Sequence, residues 1–193
     1  MRFTLVAVAA GLAIGVLSGG RPAHMAGRSF RHWPVLAAAI GLQALSGGLA
    51  GGAGLGALVA SYALLVAFAA ANVVRVGMGM VALGIGLNLL TIAVNGGMPV
   101  GPSAVVAAGI AEPDQLGDLR IEGKRHLQRP SDRLMALSDV IPVRPLREVV
   151  SFGDVVMAVG LADVLVHLLR PPRGGAHVAM GTERQPAHAR RGA

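Results

Sequence analysis

Apolar residues fall along this chain in long unbroken blocks, and the length of each block sets the element it predicts. The first block is residues 3–18, FTLVAVAAGLAIGVLS. Residues 34–74 then run without a charge, too far for one helix, and the glycine cluster SGGLAGGAG at 46–54 supplies a turn. That division gives two spans, 34–49 and 54–74. After the lone Arg75 comes GMGMVALGIGLNLLTIAV, a fourth span over 77–95, and a fifth covers 149–169. Crossing the hydrocarbon core of a bilayer takes about 20 apolar residues at about 1.5 Å each, so these blocks predict five transmembrane helices. No A-x-A-like site follows the first block, which therefore reads as a span and not as a signal peptide. The pairs Gly11/Gly15, Gly77/Gly79 and Gly84/Gly86 are expected where helices approach closely.

The fourth span ends in NGGMPV, residues 95–100. Glycine closes a helix in the left-handed conformation and Pro99 prevents its continuation, so Asn95-Gly96-Gly97 reads first as a cap and second as a binding loop. From here the polar character changes. Residues 96–149 form a surface segment, residues 150–169 the last span, and residues 170–193 a Pro-, Gly- and Arg-rich tail expected to be disordered and drawn to anionic lipid.

Composition agrees with the block pattern: 53% of the 193 residues are hydrophobic and 14% charged, with a mean hydropathy of +0.62, which excludes an ordinary soluble domain. Charge is unevenly placed. Residues 1–111 carry five charges, all arginine, while all ten acids lie from Glu112 onward. The net charge of +7 does not imply nucleic acid, because the arginines flank apolar spans and no basic run is interleaved with aromatics. They set orientation instead. With the carboxyl end in the cytoplasm, nine basic residues lie inside and eight outside; counting only those near a span end leaves nine against four. The expected topology is amino end out, carboxyl end in, and residues 96–149 extracytoplasmic at the plasma membrane. Trp33 suits an interfacial anchor.

Any chemistry is expected in residues 96–149, where polar residues gather between membrane helices. Pro102-Ser103 opens AVVAAGI, read as a short helix on the membrane surface. The charged run RIEGKRHLQRPSDRL holds His126, Asp132 and Arg133, which with Asn95 are the candidate binding residues, although such a run is ordinarily a solvated face. Asp139 and Asp154 have unusually apolar neighbours. Ser151-x-x-Asp154 has the spacing of a capping box. Alternatively, Asp139 and Asp154 converge at the outer mouth of the fifth span as a proton-sharing pair able to activate water. Zero cysteines exclude disulfides and thiolate metal sites, and the scattered His177 and His188 do not suggest a metal. No cofactor is expected.

Within the spans, Asn88 and Asn95 are seven residues apart and share a helix face, where each more often joins helices than binds a ligand. Asp163 needs a partner, and Arg75 and His167 are the candidates.

The segments GGRPAHMAGRSFRHW, LNLLTIAVNGGMPV, LSDVIPV and SFGDVVMAVG together resemble the domain-of-unknown-function family numbered 5317, bacterial integral membrane proteins common in actinobacteria. The resemblance spans nearly the whole chain and implies no activity. A fainter similarity concerns signal peptidase II, an intramembrane aspartyl protease. SDRLMALSDVIP…VVSFGDVVMAVG presents Asp132-Arg133, Asp139 and Asp154 in its order, which implies Asp139 and Asp154 as catalytic aspartates. Ser151 stands where that family has asparagine, and only residues 101–131 separate Asn95 from Asp132, where that family inserts a hairpin of two spans.

The expected architecture is all-α: a polytopic membrane bundle of about five transmembrane helices under an extracytoplasmic cap of short helices and loops. The expected function is that of a non-enzymatic membrane component, partnered by the lipid bilayer and an unidentified membrane protein. An intramembrane aspartyl hydrolase using Asp139 and Asp154 is the alternative. A small transporter is disfavoured by the absence of an internal repeat.

Overall fold

The computed structural model describes residues 2–119, 121 and 123–171. Its apolar blocks are α-helices: α1 (Arg2–Leu17), α2 (Trp33–Gly48), α3 (Gly51–Ala71), α4 (Met78–Asn95), the short α5 (Pro102–Ala107) and α6 (Phe152–Leu169). Three of them, α3, α4 and α6, have 21, 18 and 18 residues and are long and apolar enough to cross a membrane. The apolar α1 and α2 have 16 residues each, about 24 Å at the helical rise. The glycine cluster is mostly helical, and the α2–α3 connection is only Leu49 and Ala50. The fifth apolar block starts later than its composition suggests, because residues 149–151 belong to a strand.

The helices pack in the order α1, α6, α4, α3, α2. Small residues permit the two contacts of α6. A Cβ on Gly11 would sit 2.7 Å from Ala162 Cα, and one on Gly84 would sit 2.5 Å from the Gly153 carbonyl oxygen. The backbones therefore touch where a larger residue would hold them apart. Gly15 and Gly77 also face α6, whereas Gly86 meets nothing within 4 Å and Gly79 only Val73, so the glycine pairs divide between contact and open faces. Phe68, Met78, Val81, Ile85, Val164 and Leu168 form the apolar core between α3, α4 and α6.

The expectation of an all-α cap is corrected by a four-stranded sheet. Strands β1 (Met98–Val100), β2 (Arg125–Leu127), β3 (Asp139–Val143) and β4 (Glu148–Ser151) lie in the order β2-β1-β3-β4. β1 pairs parallel with both β2 and β3, and β3 pairs antiparallel with β4. Strands of three to five residues are too short to show an alternating pattern, and parallel partners are necessarily distant in sequence. Helix α5 packs against this sheet, with Ala104, Val105 and Ala108 buried beside Val100, Ala111 and Val149. Its apolar face is thus turned inward to a second core, contrary to its reading as a helix lying on the membrane.

The elements have two common ends. At one end the Glu148 carboxylate accepts hydrogen bonds from the Arg2 and Phe3 amides at 2.7 and 2.9 Å, and Lys124 Nζ donates to the Leu49 carbonyl at 2.9 Å. At the other, the Arg21 amide donates to the Leu169 carbonyl at 2.9 Å, and Asn72 exchanges hydrogen bonds with the backbone of Arg31.

Candidate functional site

The polar residues concentrate where the sheet meets the helices. Helix α6 begins at Ser151 with a reciprocal cap: the Asp154 amide donates to Ser151 Oγ at 2.9 Å, and the Ser151 amide donates to Asp154 Oδ2 at 3.0 Å. The capping box legible in the sequence is therefore formed. Asn88, one helix away, closes a ring around it. Its Nδ2 donates to Asp154 Oδ1 at 2.8 Å, and its Oδ1 accepts from Ser151 Oγ at 2.8 Å. Asn88 and Ser151 are buried, so the ring satisfies groups that would otherwise be left without water. Gly153 makes room for it, since a Cβ there would collide with Asn88 Oδ1.

Asp139 is the neighbour of this ring, paired with Ser151 across β3 and β4. It is fully buried. Arg125 Nη2 lies 2.9 Å from Asp139 Oδ2, but among the described residues neither carboxylate oxygen accepts a hydrogen bond. The two observations are compatible when the guanidinium is close without aiming an N–H at the oxygen, and the geometry makes this an ion-pair contact only. Burial pushes the Asp139 carboxyl up to about 7; Arg125 opposes the rise and Asp154 adds to it. Tyr62 of α3 lies within electrostatic range of Asp154, Arg125 and Asp139.

The other four candidates lie around β2 and the end of α4. Asn95 Nδ2 donates to the Thr91 and Arg133 carbonyls, each at 2.9 Å, and its Oδ1 accepts from the Arg133 amide at 2.7 Å. Asn95 thus clamps a loop onto the helix end through the backbone of Arg133, whose side chain is exposed. His126 Nε2 contacts Asp132 Oδ2 at 3.1 Å, and the same oxygen accepts from the Arg129 amide at 2.8 Å. Gly96 closes α4 at a φ of 68°, as the Asn-Gly-Gly sequence predicts.

The chemistry available here is limited by how the carboxylates are used. A hydrolytic pair needs two carboxylates sharing a proton beside a space for water and substrate. Asp154 has both oxygens occupied by donors, and among the described residues no hydrogen bond joins it to Asp139. Two cavities among the described residues, one lined by Arg28, Arg75 and their neighbours and one by Arg2, Ile110, Arg147 and Glu148, include neither aspartate in their lining. Among the described residues no group of three His, Asp or Glu side chains could hold a metal.

Within the helices, Asp163 contacts His167, with Oδ1 3.0 Å from Nδ1. Arg75 is elsewhere: its Nη2 donates to the Ser29 carbonyl, and its guanidinium lies 4.8 Å over the Phe30 ring. His177, His188 and residues 172–193 of the expected disordered tail lie outside the described residues.

Sequence reasoning missed Asn88 as the partner of Asp154 and Arg125 as the partner of Asp139. Asn88 carried a signal, a lone amide on the face of an apolar span. Arg125 carried none, because only the β1–β2 pairing brings it near β3.

No curated protein and no solved structure matches the chain. A family model does, over residues 30–166, and on that match the chain belongs to the family of unknown function DUF5317.

Proposed function

We propose that the chain is a five-span membrane protein of the plasma membrane acting as a non-enzymatic membrane component. Residues 1–95 form the first four spans and 150–169 the fifth. Residues 96–149 form an extracytoplasmic cap, and 170–193 a cytoplasmic tail. The short α1 and α2 count as spans because each connects the same two ends as the longer helices: α1 starts against Glu148 and leads to Leu169, and α2 starts near Asn72 and leads to Leu49. The basic residues Arg21, Arg28, Arg31, Arg75 and Arg170 near one end support the orientation. A second membrane protein is the partner this reading expects.

The observation that carries the non-enzymatic reading is the Asn88–Ser151–Asp154 ring. It commits Asp154 to holding the cap on the helices. The alternative, an aspartyl hydrolase using Asp139 and Asp154, draws support from one feature, the buried Asp139 carboxylate that accepts no hydrogen bond among the described residues. Amide substitutions separate the two readings. In a strain lacking the protein, Asp139→Asn and Asp154→Asn expressed at wild-type level restore the parental state if the aspartates are structural. Failure of both to restore it, with folded protein present, contradicts the structural reading and favours the hydrolase, because an amide cannot cycle between acid and base.

A further inference from the structure

The end of the helices opposite the sheet holds a cavity of about 250 Å³ whose lining includes Arg28, Arg75, Arg170, His167, Val74 and Val76. Among the described residues no carboxylate lines it. The nearest acid on α6, Asp163, is engaged by His167 at 3.0 Å.

Two of the guanidinium groups are held in place by the fold. Arg28 reaches across to the end of α6, donating from Nη1 to the His167 carbonyl and from Nη2 to the Arg170 carbonyl, both at 2.9 Å. Arg75 is fixed between the Ser29 carbonyl and the face of Phe30. A guanidinium has five N–H donors, so these contacts position each head while leaving donors for an anion. Arg170 is exposed at the rim. Three fixed or rim guanidiniums suit a phosphate, which accepts paired N–H bonds from arginine.

The apolar side of the cavity decides the kind of phosphate. Val74 and Val76 line it, and together with Val73 they form an exposed aliphatic patch on the α3–α4 connection, Val74 being 87% exposed. A soluble phosphate would leave this patch in water. A lipid with its phosphate at the arginines would cover it with acyl chain.

We propose that this cavity binds an anionic glycerophospholipid, its phosphate held by Arg75 and Arg170 beside Arg28 and its chains lying on Val74 and Val76. The inference rests on the chain being a membrane protein but not on which end faces the cytoplasm. Reversed topology would therefore overturn the orientation and leave this site standing.

The test uses full-length protein in detergent, titrated separately with dihexanoyl-phosphatidylglycerol, dihexanoyl-phosphatidylcholine and inorganic phosphate, with affinity read from the ligand-dependent rise in unfolding temperature. Phosphatidylglycerol is expected to bind at least about tenfold more tightly than either other probe, and Arg75→Gln/Arg170→Gln to weaken it by about tenfold or more. Should the double variant fail to fold, Arg170→Gln alone, altering an exposed side chain, must still weaken phosphatidylglycerol binding. Arg144→Gln, altering an exposed side chain between β3 and β4 at the opposite end, is expected to leave it unchanged. Equal binding of phosphatidylcholine, inorganic phosphate binding as tightly as the lipid, or undiminished affinity in the arginine variants would each overturn the proposal.

Discussion

Replacing Asp139 with asparagine should stabilise the protein at pH 8. The native carboxyl is fully buried, accepts no hydrogen bond among the described residues, and is raised from 3.8 to about 7 chiefly by burial. A carboxyl raised on folding binds its proton more tightly in the folded state. Its contribution is therefore fully present below about pH 4 and is lost as pH rises through about 7. At about 1.4 kcal/mol per unit, the loss across that window approaches about 4 kcal/mol. The substituted amide has no charge to bury, so that pH dependence disappears. It can leave an unmet donor, costing about 1–3 kcal/mol, while Arg125, 44% exposed, turns to water. The net expectation is a variant no more stable than wild type at pH 5 and more stable at pH 8, by a few degrees at about 2–4 °C per kcal/mol. Thermal unfolding in detergent, followed by circular dichroism from pH 5 to 8, reads it directly. Wild type more stable at pH 8 than at pH 5, with the variant destabilised at pH 8, would show that attraction to Arg125 outweighs burial and would refute the reasoning.

Further expectations concern the junction. Asn88→Ala leaves the buried Ser151 hydroxyl and the Asp154 carboxylate short of partners and should cost about 1–3 kcal/mol; an unchanged unfolding temperature would contradict the ring. Gly153→Ala drives a Cβ into Asn88 Oδ1 and to 2.7 Å from the Gly84 carbonyl, so it should lose about 1–3 kcal/mol by overpacking, whereas Gly86→Ala, with nothing within 4 Å, should be tolerated in the same assay. Asp154→Asn, which keeps one acceptor oxygen for two donors, should cost less than Asp154→Ala, and an equal loss in yield of folded protein would contradict the partial cap that the amide is expected to keep.

The helical part was legible because its signals are local. Uninterrupted apolar runs marked the helices, Asn95-Gly96-Gly97 marked the end of α4, and Ser151-x-x-Asp154 marked the start of α6. The same locality made residues 149–151 look like helix, since Val149 and Val150 are as apolar as the span they precede. The sheet was not legible. Met98–Val100 and Arg125–Leu127 are single short strides whose pairing is decided by tertiary packing around Val105 and Val149. Asp139 lies opposite Ser151 and so beside the cap that Asp154 completes, but the partners of the two aspartates come from β2 and α4, which no local pattern could name. Asp163 met His167, one turn away, while Arg75 went to Ser29 and Phe30 in the connection before α2, a choice that depends on how that connection folds back.

The central claim, five passes between two faces of a membrane with the sheet outside, is tested most directly by cysteine labelling. The chain contains no native cysteine, so single substitutions at the exposed Ala26, Ala50, Val74 and Ala136 each report one connection. Intact cells treated with a membrane-impermeant maleimide should label the Ala50→Cys and Ala136→Cys proteins, and label Ala26→Cys and Val74→Cys only after permeabilisation. Labelling of Ala26→Cys and Ala50→Cys from the same side would show that α2 does not cross the membrane, and would contradict the five-span account.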